Sequence, residues 1–290
     1  MTDTIHVAGG VRLRDGQLIR LNKAMRADPH ADATQDTQDG KNRTSPAPRH
    51  FDASELAREA VCAALQDAGV TPTDLIGTAT GFVAASCFGA FEFLDGLRDL
   101  VETGGPRKLR PTDFSIATQG YPASALSMEF QTTGPCTAFV CGATAGHEAL
   151  AFAKFAITSG QSDRMIVFAY DLDGPRETTL KQMAYGNATR SVSIVALVLE
   201  RDATPNSIAI LEDISSGFTA DPTKADPYVD ALNVSPQAAL PGSGGLSAMF
   251  DLMQRGGSGS AGNSYVADKF GAYATVSFIL AATKPERVVA

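Results

Sequence analysis

The sequence predicts a layered α/β fold. Apolar runs of strand length stand at residues 5–11, 75–83, 164–170, 191–199, 207–215 and 273–281. Between them lie stretches whose apolar residues recur every three or four positions, the spacing of one helix face. Glycine and proline punctuate the junctions, as at Gly69 and Gly104-Gly105-Pro106. Alternating strands and helices imply a sheet covered by helices, which is the layered arrangement.

The first strand is expected at residues 5–11. Residues 26–50 are polar, rich in Asp, Thr, Gln and Pro, and nearly free of large apolar groups. They cannot bury enough surface to offset their ordering entropy and read as a mobile surface loop. Asp52-Ala53-Ser54 offers N-cap candidates for a helix whose face is Leu56, Ala60, Val61, Ala64 and Leu65, closing at Gly69. A strand over 75–83 follows, then a helix over 88–101 with Phe91, Leu94, Leu97 and Val101 on one side. The run Pro106-Arg107-Lys108-Leu109-Arg110-Pro111 is basic and proline-punctuated, and a helix of small residues is expected over 119–130. Residues 133–150 read as a buried strand passing through a tight turn into a long helix. After Ser216 the chain is loose and rich in Pro, Gly and Ser until Gly242. One more helix is expected over 245–253, then a Gly/Ser run to Asn263 and a last strand over 273–281.

Composition narrows the classes of function. The chain has 290 residues, 44% of them hydrophobic, enough for a sizeable core. A net charge of -8 argues against a nucleic-acid footprint, which needs a basic face. No stretch approaches the roughly 18 apolar residues of a membrane span, and Met1-Thr2-Asp3-Thr4-Ile5-His6 lacks the features of a signal peptide, so a cytoplasmic location is expected. The four cysteines, Cys62, Cys87, Cys136 and Cys141, lack both CxxC spacing and disulfide-scaffold density, and read as buried thiols. Gly242-Ser243-Gly244-Gly245 has no framing strand, lysine or acidic partner and reads as a loop. No cofactor or metal is expected.

The segment Thr133-Gly134-Pro135-Cys136-Thr137-Ala138-Phe139-Val140-Cys141-Gly142-Ala143-Thr144-Ala145-Gly146-His147, with its helix running on to Ser159-Gly160, resembles the nucleophile region of β-ketoacyl synthases, members of the thiolase fold. Counting forward from Gly134-Pro135 and back from Gly146 puts the family's cysteine position at Ala143. Residues 104–111, Leu126-Ser127-Met128 and Thr133-Gly134-Pro135 are similar in order and spacing to the stretch upstream of that cysteine. Residues 191–200 are similar to a late strand that usually opens Gly-Glu-Gly-Ala, here without it. Residues 242–253 are similar to the helix after the second catalytic histidine, and residues 269–276 to a C-terminal Phe-Gly-Phe-Gly-Gly-Thr-Asn element, with Ala272 and Ala274 at two glycine positions.

The resemblance implies a thiolase-like layered αβαβα fold with a truncated C-terminal half. It divides the chain into a ketosynthase-like half, residues 1–205, and a shortened half, 206–290, packed as one domain. Decarboxylative condensation in the family needs a thiolate to hold the acyl chain and two histidines to stabilise developing charge. Here Ala143 replaces the nucleophile, the second-histidine position falls near Ala239, and none of the four histidines lies beyond residue 147. The implied role is a non-catalytic chain-length factor that heterodimerises with a catalytic ketosynthase in type II polyketide assembly, in a shortened form like the partners in polyene and aryl-polyene systems, and that meets acyl carrier protein through the complex. The strand Cys136, Thr137, Ala138, Phe139, Val140 would pair across the dimer axis. Phe88, with Asp113, Phe114 and Thr118, would line or floor the acyl tunnel, although the aromatics also read as ordinary core.

Two other readings stay open. Cys141, two residues before Ala143 and near His147, would make the chain a thiolase-fold condensing enzyme or acyltransferase, although a cysteine in the strand is expected to point into the core. The chain could also be the non-catalytic half of an alkylquinolone-forming pair. His147 reads as a helix histidine satisfied by the core. The charged cluster Asp171, Asp173, Arg176 and Glu177 reads as a solvated loop, since no His or Cys joins the carboxylates.

Overall fold

The structure, a computed structural model, describes residues 4–14, 17–21, 53–172, 174–185, 192–218, 244–267 and 272–281. The expected loop at 26–50 and the position of Ala239 lie outside the described residues.

Two strands, β1 (Ile5–Arg14) and β2 (Gln17–Arg20), form a hairpin before α1 (Ala53–Ala68). Helix α1 buries Leu56, Ala60, Val61, Ala64 and Leu65, the face expected from their spacing, and Gly69 ends it at φ +74°. Its small residues let it lie close on β1. A Cβ on Gly9 would come within 2.4 Å of the Ala68 backbone nitrogen, and next to this irregularity in β1 the Gly10 amide donates to the buried Asp67 carboxylate at 2.9 Å.

A short turn, Pro72–Leu75, precedes β3 (Thr80–Ser86). The apolar run expected as one strand from residue 75 is therefore split: Leu75 is buried, but in the turn, where Pro72 and the Thr71–Asp74 hydrogen bonds favour tight backbone over an extended one. Next come α2 (Phe91–Gly104), α3 (Pro111–Ile116), α4 (Tyr121–Glu129), β4 (Cys136–Val140), α5 (Ala145–Thr158), β5 (Arg164–Leu172), α6 (Pro175–Tyr185) and β6 (Val192–Glu200). On α2, Leu97 is buried and Leu94 exposed, so its expected apolar side is only partly covered. The remaining elements are β7 (Ala209–Phe218), α7 (Gly244–Arg255), β8 (Ala261–Ala267) and β9 (Ala272–Leu280).

The strands form one sheet in the order β4-β3-β5-β6-β1-β7-β9-β8, with β2 on β1. Strands β4, β3 and β5 run parallel, and every other pairing is antiparallel. Parallel strands are expected to be covered on both faces. Phe82, Ile166, Phe168, Ile194 and Val198 pack against α1 and α4, with Phe130 stacked on Phe82 at 5.9 Å between ring centroids. From the opposite face Val83, Val167, Val195 and Leu197 pack with Leu150 and Ile157 of α5 and with Met249 and Phe250 of α7. That cluster also holds Val276, Phe278 and Leu280 of β9, so α5 and α7 lie between two parts of the sheet. The strands turn over these helices at a short junction, where Ile5, His6 and Val7 pair with Leu211, Ile210 and Ala209. The described residues thus fill a helix layer, a sheet layer, a second helix layer and a second sheet layer.

Candidate functional site

Three segments leave the carboxyl ends of parallel strands on one edge of the sheet, where open α/β sheets place their ligands. The register fixes this convergence, because Ser86 at the end of β3 pairs with Val140 at the end of β4, and Ala85 pairs with Ala169 of β5. The segments are the Cys87–Ala90 loop after β3, the turn into α5 after β4, and the entry to α6 after β5.

The turn after β4 is built to present one side chain. Cys141 has φ -140° and ψ 39°, Gly142 adopts φ +71°, and a single tight turn over Gly142–Thr144 leads directly into α5. A glycine is needed at 142, since that φ is costly with a Cβ. A side chain at 143 therefore sits at the start of α5, where the helix dipole and free amides lower a thiol's pKa. The occupant is Ala143, which carries no nucleophile and is 1% exposed, packed with Val266 and Ala274. Val266 and Ala274 face each other across the β8–β9 ladder. Ala272 and Ala274 lie within β9, the last strand expected over 273–281, and β8 had no expectation because Ala261-Gly262-Asn263-Ser264-Tyr265-Val266-Ala267 lacks apolar alternation.

His147 is fully buried, and its Nε2 lies 3.1 Å from Ser264 Oγ on β8. Desolvation lowers its pKa to about 4, against a smaller opposing effect of the Ser264 backbone, so the imidazole is neutral at pH 7. Cys141 is exposed rather than turned into the core, because β4 ends one residue earlier and the thiol belongs to the turn. The Thr144 hydroxyl donates to the Cys141 carbonyl at 3.3 Å and to its sulfur at 3.9 Å. Partial enclosure of the sulfur, with the Glu148 charge, nevertheless raises the thiol's pKa above its ordinary value, and the Thr144 bond only reduces the rise. The hydrogen bond of His147 goes to Ser264 and not to Cys141, so the geometry makes no Cys–His pair.

The other thiols also correct the expectation of four buried cysteines. Cys87 is buried, Cys62 is half-buried with a thiol pKa raised by desolvation, and Cys136 is exposed on β4. Among the described residues β4 pairs with β3 alone, and it is not the buried strand expected: at this edge Cys136 and Val140 are exposed, and Thr137, Ala138 and Phe139 are half-buried. Phe139 rests on Phe152 of α5 at 5.9 Å between centroids.

The four residues expected near the acyl tunnel separate. Phe88 is half-buried against Phe91 at 6.3 Å. Asp113 is buried and turned toward its own helix start, accepting from Arg110 N at 2.8 Å, Nε at 3.1 Å and Nη2 at 2.8 Å. Phe114 is 61% exposed. Thr118 lines a cleft with Gly89, Phe93, Ile116, Tyr170 and Glu177.

That cleft overturns one reading. Asp171 and Glu177 are 1% and 2% exposed, not part of a solvated loop, because Asp171 lies in β5 and residues 175–185 form α6, which carries Glu177 inward. Burial raises the Tyr170 phenol well above its usual range, and the charges of Glu177 and Asp171 add to the effect. Asp173 lies outside the described residues. Among the described residues no group of three His, Cys, Asp or Glu is placed to hold a metal ion, and no helix is long and apolar enough to cross a membrane.

Known structures share the architecture. The ishigamide ketosynthase/chain length factor superposes with a TM-score of 0.72 at 15% identity, over 96% of this chain and 100% of that one. A type II polyketide acyl-carrier protein in complex with its ketosynthase bound to the hexaketide gives 0.65 at 16% identity, over 96% and 99%. A β-ketoacyl synthase from Burkholderia phymatum STM815 gives 0.67 at 13% identity, over 97% and 100%. No curated protein sequence matches the chain. The family model for the β-ketoacyl synthase N-terminal domain matches residues 23–193, more than half of the sequence and the whole span from α1 through β5. With that match and the shared architecture, the chain belongs to the β-ketoacyl synthase family.

Proposed function

We propose that this chain is a non-catalytic subunit of the chain-length-factor kind. It pairs with a catalytic ketosynthase in the cytoplasm, shapes that partner's acyl tunnel, and contributes to type II polyketide assembly of the polyene kind, with acyl carrier protein docking on the pair. The observation that carries the reading is Ala143: a turn with the glycine and helix start that a nucleophile needs presents a methyl group instead. The outer edge of β4, open among the described residues and bearing Thr137, Ala138 and Phe139, supports association, because such an edge favours pairing with another chain. The exposed ring of Phe114 is free to reach a surface beyond this chain.

The test is reconstitution. Purified alone, the chain is expected neither to become acylated nor to decarboxylate a malonyl thioester. Co-expressed with a ketosynthase it is expected to form a stable heterodimer whose products carry more than one extension unit. Turnover by the chain alone that vanishes in Cys141→Ala would overturn the reading and favour the enzyme, for which the exposed Cys141 thiol is the observation.

A further inference from the structure

The first turn of α5 and the strand β8 meet at matched intervals. Ser264 and Val266 alternate along β8 and so project to the same face. Their spacing along the strand is about 6.6 Å. Ala143 and His147 are four residues apart across the start of α5, close to one helical turn of about 5.4 Å. Both pairs close: Ser264 hydrogen-bonds His147, and Val266 packs on Ala143, with Ala274 of β9 completing the contact. All five residues are buried, at 2% exposure or less.

We propose that the β8–β9 hairpin is a plug over the nucleophile position, with Val266 filling the space in which a reacting carbonyl would lie and the His147–Ser264 bond holding the plug in register. It deepens the non-catalytic reading, on which its meaning rests: the site is closed sterically as well as deprived of its thiol. Restoring a sulfur at position 143 therefore does not restore a reactive site. Removing the Val266 side chain opens it to small electrophiles of the haloacetamide or thioester class.

The test uses the full chain with Cys141 replaced by alanine, so that the exposed Cys136 serves as an internal reference thiol. Into this background go Ala143→Cys alone, Ala143→Cys with Val266→Gly, and Ala143→Cys with the milder Val266→Ala. Each is exposed to iodoacetamide, where the thiolate sulfur displaces iodide, the S–C bond forms as the C–I bond breaks, and the thiol proton passes to buffer. Labelling at each position is followed over time by peptide mass spectrometry, with circular dichroism to establish that each variant is folded. The introduced thiol alone is expected to label at least about tenfold slower than Cys136, since a packed group reacts only through local opening. With Val266→Gly, or to a lesser degree Val266→Ala, its rate should approach that of Cys136. Equal labelling of the two thiols in Ala143→Cys alone would overturn the plug, and so would slow labelling in both opened variants. If the plug holds while the parent chain proves to turn over through Cys141, only the non-catalytic reading fails.

Discussion

The guanidinium of Arg12 on β1 meets the carboxylate of Asp251 on α7 at 2.6 Å and lies over the Phe250 ring, 5.4 Å from its centroid. These residues are 239 apart in sequence, so the contact ties the first strand to α7. Both side chains keep some exposure, which places the pair between the weak surface case and the costly buried one.

Arg12→Ala and Asp251→Ala are each expected to destabilise the chain by about 1–2 kcal/mol, with a coupling of about 1 kcal/mol between them in a double-mutant cycle. Urea melts of the four proteins check this. A coupling of zero would mean that Phe250 packing alone holds Arg12.

His147 predicts an acid limit. Its folded pKa is about 4 against 6.5 in the unfolded chain, so between these values the unfolded state binds more protons than the native one. Stability is therefore fully present above pH 6.5 and falls as pH drops toward 4. The lost stabilisation is up to about 3 kcal/mol for a shift of this size. His147→Gln should flatten that part of the stability-versus-pH curve. A wild-type curve level between pH 6.5 and 4, or a slope retained in the variant, would assign the acid sensitivity to other groups.

The strands and helices whose burial is periodic were readable from the sequence. Helix α1 ends where Gly69 said it would, and β4 through α5 follows the turn that the glycines and the small residues required. The elements that escaped notice lack that signal for physical reasons. Strand β8 is made of small and polar residues and is held by its ladder to β9. Helix α6 is polar on nearly every side, so Glu177 gave no sign that it would turn inward. At the site, the placement of Ala143 in a tight turn before α5 was legible because the glycine and small-residue spacing is local. The covering of that position by Val266 and Ala274 was not, since no local pattern connects residues more than a hundred positions apart.

Phe114 allows function to be separated from stability. Its ring is mostly in water, so Phe114→Ala should change stability by no more than about 0.5 kcal/mol. Phe82→Ala, in the fully buried layer under α4, should cost about 3–5 kcal/mol. If Phe114 floors the partner's tunnel, the reconstituted pair carrying Phe114→Ala should shift its products toward longer chains at unchanged melting temperature. An unchanged product distribution, with the pair assembled, would restrict the ring to a surface role.

The edge of β4 carries the last prediction. Val140 is 37% exposed at the end of a strand that has, among the described residues, no strand on its outer side, and Phe139 next to it is anchored on Phe152. A lysine at an edge is tolerated by the sheet but repels a second strand, because its charge must be desolvated or displaced when the strands pair. Val140→Lys should therefore leave the fold and its circular dichroism intact while weakening association with the ketosynthase by tenfold or more, about 1.4 kcal/mol. Thr158→Lys, on the exposed end of α5 and away from the edge, serves as a charge control and should bind as the parent does. Sedimentation of the co-expressed pair reads both. Undiminished association of Val140→Lys would show that the two chains meet through a different surface, and the exposed face of α3 around Phe114 would be the next place to put a charge.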